Sequence, residues 1–316
     1  MTAFDSLYGI TNFADLDLSQ IMTGTLIYHY DWGFVNVGGY VNVTYNKLNI
    51  NNADMSRLRA AKDNLYRDGQ VWEFAHNNIV YESGVAVGNP IAISGVYVNS
   101  NFQSLTSGTY QGVIEYKRGR VIFNNPIPQT SQLNIEYSYK AISVVEAKNY
   151  PILREIQFRD FDPNTNNFLQ IASGDYNKSP NARMMLPLCG IEVTPRLQTT
   201  PHELGNRIQR VETTVVFHAL GDDDNQVKKI ITTIARQKES TFFLLDMNLM
   251  AKSGVFSLDI NGRLNSGGLS YPNLVKDEGS YRFGRSYIMM ADASDGKWIS
   301  NNLYHGTVRT VIETIY

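Results

Sequence analysis

Residues 91–145 read IAISGVYVNSNFQSLTSGTYQGVIEYKRGRVIFNNPIPQTSQLNIEYSYKAISVV, and the fold is read outward from them. Leu133, Ile135, Tyr137 and Tyr139 alternate with Asn134, Glu136, Ser138 and Lys140. A period of two marks a strand, and this composition predicts one buried and one wet face. Upstream, Gly112–Tyr116 and Arg120–Phe123 are short β-rich runs flanking Lys117-Arg118-Gly119. Glycine supplies a positive φ at no steric cost, so the spacing predicts a β-hairpin with a short bulged loop. Asn124-Asn125-Pro126 and Pro128-Gln129 then turn the chain into the alternating strand. With Ile91–Val98 as a first strand, the segment predicts a small antiparallel module. Its cationic tip, Lys117, Arg118 and Arg120, is expected to project and to touch another protein.

The chain has 316 residues and a formal net charge of −2. That length holds one large domain or two to three small ones. The near-neutral balance gives no electrostatic case for nucleic-acid readout or an anionic membrane. No run of about 18 apolar residues is present to span a bilayer, and the first residues lack the basic-then-apolar order of a secretory leader. A single cysteine, Cys189, cannot form an internal disulfide or anchor a thiolate metal site alone.

Before the module, Phe4, Leu7, Tyr8, Ile10 and Phe13 stand at roughly helical spacing. They suit a short docked helix or an arm reaching a neighbour. Leu26–Val37 fits either a strand or a buried helical turn, and Tyr40–Tyr45 reads as strand. Met55–Asn64 is built of helix formers and predicts a helix. Val71–Phe74 and Ile79–Glu82 read as strands. After the module, Leu153–Phe161 reads as one more strand, and 162–181 is rich in Asn, Pro, Gly and Ser, as in a linker or functional loop.

The second half is more regular. Gly190–Thr194 reads as a short strand. Val211, Thr213, Val215, Phe217 and Ala219 would share one strand face. Asp222-Asp223-Asp224-Asn225 then precedes a helix whose Val227, Ile230, Ile231 and Ile234 form an apolar stripe. Acids there cap a helix and offset its dipole; the spacing is not that of a calcium loop. Ser240–Asp246 reads as a central strand covered on both faces, and Thr307–Tyr316 as a closing strand. The expected class is a β-rich α+β protein: an antiparallel, sandwich-like β-module joined to an α+β domain with one amphipathic helix on its sheet. The expected divisions are 1–90, 91–150, 151–185 and 186–316.

No catalytic pattern stands out. His202-Glu203-Leu204-Gly205 lacks the second histidine of a zinc-protease helix, and the five histidines are scattered. No nucleophile elbow and no phosphate-binding glycine loop occur. The expectation is therefore a protein that is not an enzyme and that uses no cofactor or metal.

The run Val96-Tyr97-Val98-Asn99, Tyr110-Gln111-Gly112-Val113-Ile114-Glu115-Tyr116-Lys117-Arg118-Gly119-Arg120-Val121-Ile122-Phe123 and Leu133–Lys140 resembles a β-module that recurs in structural proteins of tailed bacteriophages. Leu186–Val193, Pro201–Gly205 and Val211–Asp246 are similar to neck and tail-completion proteins of T4-like contractile-tailed phages. There, a strand followed by Asp-Asp and an amphipathic helix packs on a sheet; Thr213–Ala219, Asp222–Asp224 and Val227–Ile234 would fill those places. The resemblance implies a virion protein of the head–tail connector or tail-terminator region, assembled in the host cytoplasm. It implies a ring of six or twelve copies, contacts to other neck, portal or tail proteins, and DNA passing through without sequence readout. It implies no membrane. The rival readings are a receptor-binding module of a tail fibre or baseplate, and a hydrolase with a loop-built carboxylate site.

Overall fold

The computed structural model describes residues 13–46, 55–149, 186–201, 209–275, 280–294, 297–300 and 303–315. The protein is α+β and rich in strands, as its sequence predicts. Two bodies share it: a curled sheet wrapped on helices, and a β-module of small sheets.

Helix α1, Phe13–Asn36, is the axis of the first body. Leu18, Ile21, Met22, Leu26, Tyr30 and Phe34 run down one side into the main core. Tyr28 and Trp32, on another side, pack on a smaller cluster of Leu245, Met250, Tyr271 and Leu274. A helix that buries two sides carries no single apolar stripe. For that reason Leu26–Val37 fits strand and helix equally well in the sequence. Gly38, at φ +89°, then breaks the helix by turning left-handed.

Around α1 runs a sheet of strands β10 (Ser143–Glu146), β11 (Leu188–Pro201), β12 (Gln209–Gly221), β16 (Leu303–Ile315), β14 (Arg282–Ala293) and β13 (Thr241–Leu245), in that order. Strand β15 (Lys297–Ser300) adds to β16. Among the described residues of this sheet, β10 and β11 pair in parallel and the other pairings are antiparallel. The strands at the two ends of the path, β10 and β13, both touch α1, so the sheet curls into a half-barrel about the helix.

The concave face carries Val211, Thr213, Val215, Phe217 and Ala219 of β12, all buried, as the alternation predicts. Helix α2, Asp224–Ala235, lies on the same face, with Val227, Ile230, Ile231 and Ile234 buried. Gly306 of β16 lets it approach, since a Cβ there would collide with Ile231. The sheet therefore carries two packed helices where the sequence predicts one. Strand β13 ends the sheet path instead of lying centrally. It is apolar because Phe242 and Leu244 face the core, while Phe243 lies under the Arg282 guanidinium, 3.8 Å from its ring centroid.

The β-module holds three small sheets. Strands β1 (Tyr40–Val43) and β9 (Tyr137–Lys140) pair alone. Strands β2 (Arg59–Ala61), β3 (Val71–Glu73), β7 (Arg120–Phe123) and β6 (Gly112–Glu115) form the second, and β5 (Asn101–Ser104), β4 (Gly95–Val98) and β8 (Leu133–Asn134) the third. One core joins them, from Val43, Leu58, Trp72 and Phe74 to Phe123, Leu133, Ile135 and Tyr137. The module thus begins near residue 40, not 91, and β10 leaves it to enter the large sheet. Strand β8 breaks before β9, so the single long strand expected over Leu133–Lys140 is two.

Three local expectations give way to tertiary contacts. Met55–Asn64 is no helix: Leu58 is buried in the module core and its N–H donates to Leu133 O at 2.9 Å, which draws the segment into β pairing. Ile79–Glu82 makes only an isolated bridge, Ile79 to Tyr139. The polar face of β8 and β9 is not wet: Asn134, Ser138 and Lys140 are buried beside Leu133, Ile135 and Tyr137. Other strands and α1 cover that face and supply partners, such as Ser56 Oγ, 2.9 Å from Asn134 Nδ2, and Asn42 Oδ1, 2.6 Å from Ser138 Oγ. The expected strand at Leu153–Phe161, the loop at 162–181 and the residues Phe4–Ile10 lie outside the described residues.

Candidate functional site

The two bodies meet at a buried ion cluster. Lys140 Nζ, from β9, donates to Asp31 Oδ2 of α1 at 2.5 Å and to Glu82 Oε1 at 2.6 Å. It also sits 4.6 Å from the centroid of the Tyr81 ring, within cation–π range. The side chains of Lys140 and Glu82 are 1% and 6% exposed, that of Asp31 19%. One cation thus faces two carboxylates. Burial opposes the charge on Lys140, but Asp31 and Glu82 outweigh it, and its pKa is raised. Burial and the neighbouring Asp31 raise Glu82 against the pull of Lys140, so this carboxyl is where a proton would relieve the surplus negative charge.

Cavities of about 340 Å³ and 160 Å³ border this cluster and share Tyr28, Asp31 and Tyr81 as walls. Tyr28 is pushed up to about 12, by burial first and Asp31 second. Behind it, His29 Nδ1 lies 2.7 Å from the Tyr271 hydroxyl, and burial holds the imidazole down at about 4.

The predicted cationic tip has a different setting. The hairpin forms, with Glu115 opposite Arg120 and Gly119 at φ +60°. It does not project. Gly119 O accepts from Phe74 N at 2.8 Å, Tyr116 O accepts from Ile79 N at 2.8 Å, and Tyr116 N donates to Gly262 O at 2.8 Å. A Cβ at Gly119 would strike the His76 carbonyl, so the tip is packed between two neighbouring segments.

Arg120 is correspondingly buried. Its Nε donates to Glu115 Oε2 at 2.5 Å and its Nη1 to Asp63 Oδ2 at 2.7 Å. Burial disfavours its charge, and the two carboxylates more than compensate. Asp63 is held below the usual carboxylate range by the Leu65 N–H first and by Arg120 second, with burial opposing both. Arg118 is half-exposed at 3.4 Å from Glu115, and Arg263 Nη2 reaches Glu115 Oε1 at 3.1 Å and the Tyr66 hydroxyl at 3.0 Å. Lys117 keeps exposed surface while lining the larger cavity. Desolvation lowers its pKa, Asp31 opposes that, and Lys140 adds to it. Of the three expected contact residues, Arg118 and Lys117 remain reachable and Arg120 does not. Asp63, Glu115 and Arg263 complete the cluster. Nothing in local sequence joins Glu115 to Arg263.

Asp223 is the N-cap of α2, its carboxylate accepting from Asn225 N at 3.2 Å, and Asp224 pairs with Lys228 one turn on. On the outer face of the sheet the scattered histidines partly converge. His218 Nε2 lies 3.0 Å from Glu192 Oε2, and its Nδ1 3.2 Å from His305 Nε2. Glu192 and His305 engage opposite nitrogens of His218, so they do not converge on one ion position. Among the described residues no group of three histidine, cysteine or acidic side chains is placed to hold a metal. His202 and Glu203 lie outside the described residues. The Cys189 thiol is buried and pushed up to about 12 by that burial, which removes its nucleophilicity.

No family model, curated protein or solved structure matches this chain. Among the described residues no helix is long and apolar enough to cross a membrane.

Proposed function

We propose that this chain is a structural protein of a tailed-bacteriophage virion, acting at the neck between head and tail as one subunit of a homo-oligomeric ring. The observation that supports it is the junction of Asp31, Glu82 and Lys140. A buried ion cluster tying α1 to β9 couples the half-barrel to the β-module, and a coupled pair of sheets transmits load as one unit. That suits a part whose work is to hold spacing in an assembly. The resemblance of the hairpin module and of Val211–Asp246 to phage structural proteins supplies the location, the ring of six or twelve, and the flanking neck, portal or tail partners.

In this reading the mechanism is mechanical. The sheets set subunit separation, exposed loops contact the adjacent rings, and DNA passes without base readout. Native mass spectrometry of the full chain, alone and with a neighbouring neck protein, tests it. A closed ring is expected. A strict monomer under both conditions refutes it.

A further inference from the structure

We propose that the surface around Arg118 and Arg263 is the docking site for a second copy of this chain, entered by the acidic corner at Asp222. The inference rests on the ring reading above and specifies its subunit contact.

The receiving surface is charged beyond its internal pairing. Arg118, Arg120 and Arg263 converge on Glu115, with Asp63 as the second carboxylate, so three cations meet two anions. The excess sits at the reachable end of the cluster. Arg118 is half-exposed, and the adjoining segment exposes Arg59, Lys62 and Arg67 against one further exposed carboxylate, Asp68. Asp259, beside Arg263, accepts from the backbone N–H groups of Asn261 and Arg263. Large aliphatic side chains stand out beside it. Leu65, whose N–H bonds Asp63, is 83% exposed, and Ile260 and Leu264, either side of Arg263, are 97% and 56% exposed. Arginine is enriched at protein contacts, and clustered exposed aliphatic side chains beside it mark a surface that gains by being covered. A phosphate backbone would use the charge and gain nothing from the leucines.

The complement is on the other body of the same chain. Where β12 ends, Asp222 and Asp223 are exposed and Asp224 is half-buried. Asp223 is committed to the helix cap and Asp224 to Lys228, which leaves Asp222 to meet a partner. Trp298, 59% exposed, stands across Tyr304 from Gly221 and gives this acidic corner an apolar neighbour. Unlike patches on one chain make a head-to-tail contact, which closes into a ring when the rotation per subunit allows and does not give a two-fold dimer. Arg118 engages a carboxylate through two N–H groups, so the contact also fixes orientation.

The test is a charge exchange on the full chain, read by sedimentation at low and high salt. Asp222 is not the cap residue, and Arg118→Glu gives up one contact of 3.4 Å to Glu115, which Arg120 and Arg263 still hold. Circular dichroism and thermal melts check that both variants fold. Arg118→Gln, which removes the charge without adding a carboxylate, is expected to weaken assembly in the same direction. Arg118→Glu and Asp222→Arg are each expected to weaken assembly about tenfold or more, and the double variant to recover it. If the wild type forms rings and both single variants assemble like it, or the double variant fails to recover, this contact is wrong and the ring reading stands. If the wild type stays monomeric in every condition, the ring reading itself falls.

Discussion

Replacing Lys140 by Met tests the junction most directly. The substitution keeps length and apolar volume and removes the cation that two carboxylates share. Glu82 is then left 6% exposed with no counter-charge, while Asp31 at 19% retains some water. Breaking a buried pair from one side costs about 3–5 kcal/mol, and the partial hydration of Asp31 places the loss near the lower end, about 3 kcal/mol. The loss must depend on pH with a definite sign. Glu82 already has a raised pKa in the folded state, so its proton is bound more tightly folded than unfolded. Such a group contributes most below the unfolded carboxylate value, and the contribution disappears as pH rises through the folded value. Removing Lys140 raises Glu82 further and widens that window. The variant should therefore regain stability on acidification, by about 1.4 kcal/mol per pH unit while Glu82 takes up its proton. Urea unfolding at neutral pH and near pH 5 measures both quantities. Glu82→Gln, which leaves Lys140 paired with Asp31 alone, should cost less than about 1 kcal/mol and show no such recovery. A Lys140→Met loss under about 1 kcal/mol, or one equal at both pH values, would refute the assignment of this cluster as the weld between the bodies.

Two further outcomes follow from single groups. Asp223→Ala should destabilise by about 1 kcal/mol in denaturant melts, because it unpairs the Asn225 N–H at the start of α2 without touching the core; an unchanged midpoint would show that the cap contributes nothing. His29, held at about 4 by burial, is depressed when folded, so its contribution is present above the ordinary imidazole value and is lost as pH falls toward about 4. His29→Phe should flatten the acid limb of the stability curve by one proton, and an imidazole NMR titration with an ordinary midpoint would contradict this.

The legible part of the protein was the part written in local periodicity. The stripe Val227, Ile230, Ile231 and Ile234 marked α2, the run Asp222–Asn225 marked its start, and the alternation from Val211 to Ala219 put five side chains on one strand face; the structure then chose Asp223 as the cap and that face as the inner one. In each case the side chains that pack together lie within one element, so spacing alone carries the signal. The hairpin was legible too, because Gly119 sits where the turn needs a positive φ. Strand β14 was not: its register shifts between Ile288 and Met290, and a bulge interrupts the period that would announce it.

What the tertiary structure alone decided is where the charges go. The alternation across Leu133–Lys140 separates apolar from polar residues correctly and says nothing about what covers the polar side. Lys140 finds Asp31 and Glu82 at separations of 109 and 58 residues, and Arg263 finds Glu115 at 148. A charged side chain is buried only when partners arrive to replace its water. Those partners come from other elements, so chain-local pattern reads the same Lys or Arg as a solvated tip. Helix α1 is the counterpart on the apolar side: with two buried flanks its sequence shows no stripe, and only the half-barrel around it and the cluster behind it determine that it is the axis of the fold.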